Sequence, residues 1–558
     1  MLQENDLTPC RIADQHVDTI ADLNPLTAEM MGIRPGADRL PDYSPDGLEA
    51  LADAERATLA GLDAAVAANG ELPAGERRAA RLLRERLTAS LAEHESGEGL
   101  RNVSNLFCPV QHLRTIFLMM PRKTEEDWAV VARRLRNVPA AVAGYQVALR
   151  EGLDRGLHAA PRQAETLVGQ LGTWLDTDWY GTFTADGPDR HRAELTEAAR
   201  TGTRALAELK DFLTGTYLPA VAGTDDAVGR ERYARLARTW TGADLDLEDA
   251  YAYGWEEVRR LAAEMAVAAD KVLPGAGPRA AGEYLNKHGE AVEGEEAIRV
   301  WLQQFMDRAI ADLDGTHFDL AEPVRRVESM IAPPGGAAAP HYTAPSMDFS
   351  RPGRTWLPTM GETRFPLWGL VSTWYHEGVP GHHLQLAQWR YVADRLSTYQ
   401  VTLGKVSATT EGWALYAERL ADELGLLTDP AHRLGYLEAQ MLRAVRVVID
   451  IGMHLKLRVP AGESFHPGEV WTPALAAEFF ALHSAAEPAH RDSEIVRYLG
   501  IPGQAISYKL GERAWLAGRE AARAARGTDF DLKSWHMSAL SLGSLGLDDL
   551  TDELGQLS

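Results

Sequence analysis

FPLWGLVSTWYHEGVPGHHLQLAQWRYVADRL, residues 365–396, is the stretch on which the fold and the chemistry turn. Leu367, Leu370, Val371 and Trp374 recur at three and four residues, which predicts an amphipathic helix over 367–376. His376 and Glu377 ride on that helix. Gly378-Val379-Pro380-Gly381 then interrupts it, and His382 and His383 resume.

Two imidazoles one helical turn apart, with a glutamate after the first, can hold a zinc ion and act on its water. Four positions on from His376 stands Pro380, which cannot ligate. On an unbroken helix His382 would point about 240° round, and His383 would share the face but lie about 10 Å along the axis. That separation is too long for one tetrahedral ion. The pattern works only if Pro380-Gly381 breaks or bulges the helix, because proline removes a ladder hydrogen bond and glycine permits unusual dihedrals. A two-residue bulge would bring His382 to the usual second position. The alternative is a helix with capping or core histidines around a proline kink.

Residues 406–424, VSATTEGWALYAERLADEL, predict a second amphipathic helix. Glu411 and Glu418 are seven apart and share a face. A helix presenting a glutamate toward a histidine pair supplies the third ligand of a His2Glu zinc site, and Glu411, among Thr, Gly and Trp, suits that role. Glu418 reads as a solvated charge or an ion pair. In 441–458, Arg446, Asp450 and His454 stand one turn apart. Such a stripe either orients a metal ligand or forms a buried ion-pair ladder between helices.

The rest of the chain sets the background. It has 558 residues, 45% apolar and 25% charged, which is soluble globular composition. With 57 basic and 80 acidic residues its net charge is −23, which argues against nucleic acid or anionic membranes as partners. Two cysteines, Cys10 and Cys108, make no disulfide framework or metal spacing. Nothing in the first eighteen residues resembles a secretory signal, and no window nears eighteen consecutive apolar residues. A cytoplasmic location is therefore expected. Helices are expected over Pro45–Asn69, Arg77–His94, Glu125–Leu157, Arg190–Tyr217 and Leu247–Val272, bounded by Gly, Pro, Asp or Asn. Trp174, Trp179 and Tyr180 read as core. The run IAPPGGAAAPHYTAP, 331–345, cannot be helical throughout. A short β-ribbon is expected within Met330–Met360. A soft boundary then separates a helical scaffold, 1–335, from a helical catalytic region, 336–558, in what is expected to be one integrated fold.

HEGVPGHHLQ, TTEGWALYAE, RYLGIPGQAISYKLGE and FDLKSWHMSALSLGSLGL together resemble the bacterial domain of unknown function 885 family. That family is regarded as a group of candidate zinc metallopeptidases with an HExxPGHH motif. It is similar in outline to the helical oligopeptidases and carboxypeptidases of the gluzincin type. The resemblance implies a mainly α, large multi-helix gluzincin-like fold with a small β-ribbon beside an active-site cleft. It implies one zinc ion held by His376, His382 and Glu411, with Glu377 as general base. His383 is then a substrate or outer contact, or the true ligand if the bulge is drawn wrongly. In the late Gly-rich segment, Tyr508 is the expected oxyanion donor and Tyr498 its rival. Arg497 could pair with a substrate carboxylate, and Gln504, His454 and Tyr342 are further expected substrate contacts. The activity implied is hydrolysis of amide bonds in short peptides. The alternatives are a metalloenzyme acting on a specialised non-peptide amide or small metabolite, and a non-catalytic binding protein that keeps the fold. Oligomeric state is left open.

Overall fold

Capping chemistry decides where the long helices begin and end. Ser44 accepts from the Gly47 N–H at the start of Pro45–Asn69, and Asp246 accepts from the Asp249 N–H at the start of Leu247–Val272. Both helices coincide with expectation. Glu125–Asp154 stops three residues early, because Gly156 at φ 70° lets the Leu157 N–H fold back onto the Gly152 carbonyl at 2.7 Å. The other two expected helices run Ala74–Glu95 and Arg192–Phe212, the latter continued by a π-helical segment, Leu213–Tyr217. The computed structural model describes residues 7–34, 38–333, 339–484 and 487–557, and it is mainly α.

The chain packs as two units. The first comprises 1–76, 83–228 and 496–502; the second comprises 77–82, 229–495 and 503–558. The boundary expected near 335 therefore falls inside the second unit. The reason is strand pairing: β2 (Val327–Ile331) lies parallel to β4 (Gly353–Leu357), with Val327 opposite Gly353 and Ile331 opposite Leu357.

In the first unit, Glu125–Asp154 packs along Arg192–Phe212 through Val131, Leu135, Val138 and Val142 on one side and Leu195, Ala199, Leu206 and Leu209 on the other. Tyr180 is core, as expected, and Trp174 and Trp179 pack against it under the Arg114 guanidinium. Buried Arg134 is paired with Glu29 at 2.9 Å.

In the second unit the expected ribbon is a three-stranded sheet of order β2-β4-β3, with β3 (His341–Thr343) antiparallel to β4 at the edge. Part of the 331–345 run lies outside the described residues. A second sheet, absent from the sequence reading, pairs β1 (Ala291–Glu293) with β5 (Arg364–Pro366). The Leu367 N–H bonds the Glu290 carbonyl at 2.9 Å, so this sheet anchors the start of the His376 helix, Leu367–Glu377. That helix packs on the Glu411 helix, Ser407–Glu423, and on the Arg446 helix, Pro430–Leu455. The Glu411 helix crosses the Tyr508 helix, Ser507–Arg526, backbone to backbone: a Cβ on Gly511 would stand 2.0 Å from the Ala408 carbonyl oxygen. Among the described residues no helix is long and apolar enough to cross a membrane.

Candidate metal centre

The helix carrying His376 does not bulge; it ends. Its last residue is Glu377, and a new helix begins at His382 and runs to Tyr391. Between them the Gly381 N–H reaches back to the Tyr375 carbonyl at 3.0 Å, and the His383 N–H bonds the Gly378 carbonyl at 3.1 Å. Glycine is required at the turn: a Cβ on Gly381 would lie 2.0 Å from the His376 carbonyl oxygen. Trp413, fully buried on the Glu411 helix, donates its indole N–H to the carbonyls of Pro380 and Gly381 at 2.9 and 3.1 Å. The Gln385 amide reaches the Thr409 carbonyl at 3.3 Å. The third-ligand helix thus also grips the break. Trp413→Phe should strand two carbonyls and destabilise the protein by about 1–3 kcal/mol, read by denaturant unfolding. A change below about 0.5 kcal/mol would mean that the indole does not hold the turn.

The break brings His376, His382 and Glu411 together, with one ligand-type atom of each within 4.8 Å of the others. Glu411 Oε2 lies 3.5 Å from His376 Nε2 and 3.4 Å from His382 Nε2. Two donors about 2.1 Å from a tetrahedral zinc stand about 3.4 Å apart. The donor set and these two edges therefore fit such an ion. Burial alone would lower the His376 imidazole, but Glu411 and Glu418 outweigh it and push it up to about 10. Glu411 is held well below the usual carboxylate range: burial opposes this, and the two imidazoles more than compensate. The site's own charges therefore favour a cation. Glu411 keeps 22% of its side chain exposed, so the cluster is open on that side. Three protein donors with an open side match a catalytic site rather than a closed structural one.

Glu418 is not a solvated charge. It is 1% exposed, with one oxygen 2.8 Å from His376 Nδ1 and the other accepting from the Ser372 hydroxyl at 2.6 Å. The seven-residue spacing puts Glu411 on one nitrogen of His376 and Glu418 on the other. Such a carboxylate fixes the ring's orientation and leaves Nε2 for the metal. Burial opposes ionisation of Glu418, yet the His376 hydrogen bond and charge, with Arg443, hold it below its ordinary value. Glu377, adjacent to His376, is 6% exposed.

Partners separate His382 from His383: His382 joins the cluster, whereas His383 is engaged elsewhere. His383 is fully buried, with the Tyr342 hydroxyl 2.9 Å from Nδ1 and the Val324 carbonyl 2.6 Å from Nε2. Both nitrogens are taken, and burial pushes the ring down to about 4. The protein's own groups thus engage both ring nitrogens of His383, and the Tyr342 hydroxyl is one of them. His454 also departs from expectation. It is fully buried, packed on the Tyr233 ring, 3.8 Å from Asp450. Asp450 accepts from the Tyr233 hydroxyl at 2.7 Å and the Gly503 N–H at 3.0 Å, and Arg446 pairs with Glu494 at 2.8 Å. The stripe is the buried ladder, and it ties neighbouring segments together.

Tyr508, second in its helix, is half-buried, with Arg446 and Arg443 over its ring at 5.1 and 5.8 Å. Gln504 is buried in the preceding turn. Arg497 and Tyr498 belong to the first unit, whereas the cluster is built within the second. Tyr498 is 1% exposed, its ring under the Arg497 guanidinium, which does not suit an oxyanion donor. The sequence reading also missed Lys509, fully buried and bonded to Glu257, Glu512 and Gln440 at 2.9, 2.6 and 2.5 Å. Its neighbour Tyr508 is set on that fixed base.

The architecture, mainly helical with small sheets, recurs in solved structures. It superposes on a candidate lipoprotein from Colwellia psychrerythraea with a TM-score of 0.83 and 21% identity, covering 98% of each chain. A candidate lipoprotein of unknown function from Shewanella oneidensis gives 0.73 and 18%, covering 98% of this chain and 100% of that one. At these identities the likeness shows the fold. No curated protein matches the chain. The chain belongs to the family described as bacterial protein of unknown function (DUF885), whose model matches residues 25–554.

Proposed function

We propose that this protein is a zinc-dependent hydrolase that cleaves amide bonds in short peptides. The observation that carries the reading is the cluster itself: Glu411 at tetrahedral-edge distance from both His376 and His382, open on one side. Bound there, zinc would supply a Lewis acid that makes water nucleophilic near neutral pH. Glu377 takes the proton of the attacking water and hands it to the leaving amine. Tyr508 donates to the developing oxyanion, and the guanidinium groups over its ring strengthen that donation. Glu418 and Ser372 keep His376 in register.

The substrate is a small peptide, and the net charge of −23 disfavours nucleic acid. A cytoplasmic location is proposed with it, since Cys10 and Cys108 are not joined in a disulfide. Recovery of the native protein from a membrane fraction would overturn that location.

The test pairs metal analysis with a mixed peptide library. The purified protein should carry about one zinc per chain, and zinc should raise the melting temperature of chelator-treated protein. Library peptides should be cut at amide bonds, and the products will report whether one end must be free. Zinc bound without cleavage of any peptide would move the reading to a non-peptide amide. No zinc bound would sink it.

A further inference from the structure

Three cations with no ion pair among the described residues, Arg390, Arg351 and Lys405, stand on or beside the elements that carry the metal cluster. Arg390 ends the helix that begins with His382 and is 9% exposed. Its guanidinium donates to the Met347 thioether, a weak acceptor. Arg351, before β4, spends its guanidinium on the carbonyls of Ala344 and Pro352. Lys405, in the turn before the Glu411 helix, forms no ion pair among the described residues. The nearby carboxylates are engaged elsewhere. Glu328 binds Arg354 at 2.8 Å, and Asp348 accepts from Ser346 and Ser350.

The three charges feel one another: Arg390 is lowered by burial and then by Arg351, and Lys405 is pushed down to about 8 by burial and then by Arg390. Buried charge is retained against such opposition only where something of opposite sign compensates it. Among the described residues no carboxylate pairs with Arg390, Arg351 or Lys405, and Glu328, whose charge reaches Arg351, is bonded to Arg354, which leaves room for an anion from outside.

The cluster's place relates it to the metal centre. Arg390 shares a helix face with His383 and lies about 10 Å further along the axis. The Tyr342 phenol bridges the interval, hydrogen-bonded to His383 and within electrostatic reach of both Arg390 and Arg351. Lys405 precedes Glu411 by a short stretch of the same segment.

We propose that Arg390, Lys405 and Arg351 seat a carboxylate of the peptide substrate. This rests on the hydrolase reading and narrows it to anionic peptides. A guanidinium fork beside an ammonium fits a carboxylate from the chain terminus or from an acidic side chain.

The test is a binding comparison, so that it stands apart from turnover. Zinc-loaded Glu377→Gln protein is titrated calorimetrically with N-acetyl-trialanine as free acid, as its C-terminal amide, and as an amide ending in Glu. The free acid should bind about tenfold tighter than the alanine amide. Lys405→Gln and Arg390→Gln should each erase that preference and leave amide binding unchanged. Lys405→Gln should also raise the melting temperature by removing like-charge repulsion, and it carries the test if Arg390→Gln fails to fold. If the Glu-ended amide binds as well as the free acid, the site accepts a side-chain carboxylate; if it binds like the alanine amide, the site takes the terminus. Equal affinity for all three peptides overturns the proposal, as does a preference that survives in the variants. Failure of the wild-type protein to cut any peptide removes the peptide-cleavage reading alone and leaves this comparison intact.

Discussion

Glu377→Gln should retain zinc and lose peptide turnover by about 10²–10⁴-fold. The substitution preserves size and hydrogen-bonding reach but removes the basic oxygen. Glu377 stands beside His376 at the end of its helix, 6% exposed, and is not one of the three clustered donors. A base that is not a ligand should change the rate and leave the metal in place. The measurement is kcat on a cleaved library peptide, with zinc content determined on the same preparation. Turnover within about threefold of wild type would assign the base elsewhere. Loss of zinc with turnover would make Glu377 a ligand and refute the donor set proposed here.

Zinc affinity and rate test different parts of the site, and the sequence revealed those parts unequally. The histidine–glutamate stretch was legible as chemistry because His, Glu, Pro and Gly occur there at spacings few other roles demand. Helix phase could not choose between His382 and His383, since a broken helix starts a new phase at its first residue. Tyr342 and Val324, 41 and 59 residues from His383, decide it by occupying that ring. Glu418 stayed open between a solvated charge and an ion pair for a related reason, and the structure shows the pair, with His376. Its spacing from Glu411 fixes a shared face but not what the face meets, and Ser372 and His376 lie 46 and 42 residues away. Asp450 likewise takes Tyr233, 217 residues distant. The long helices were the most legible part, because Ser44 and Asp246 act on N–H groups three residues ahead. The parallel pairing of β2 and β4 has no local signal, and a boundary drawn from local composition fell across it.

That same long-range carboxylate supports the second large effect. Glu418→Ala should weaken zinc binding by about 10–100-fold, read by competition with a chromophoric chelator. The argument is positional. In the protein His376 Nδ1 lies 2.8 Å from Glu418, which leaves Nε2 facing Glu411. Without the carboxylate the ring can flip or change tautomer, and the Ser372 hydroxyl loses its acceptor. Glu418→Gln is the informative control: its amide oxygen can still accept from Nδ1–H, so affinity should fall less than in the alanine variant. Glu377→Gln gives the complementary pattern, with rate lost and metal kept, so the two variants separate proton transfer from metal positioning. If Glu418→Ala binds zinc within twofold of wild type while remaining folded, the buried carboxylate serves only packing. The orientation of His376 would then have to come from the helix and from the turn gripped by Trp413.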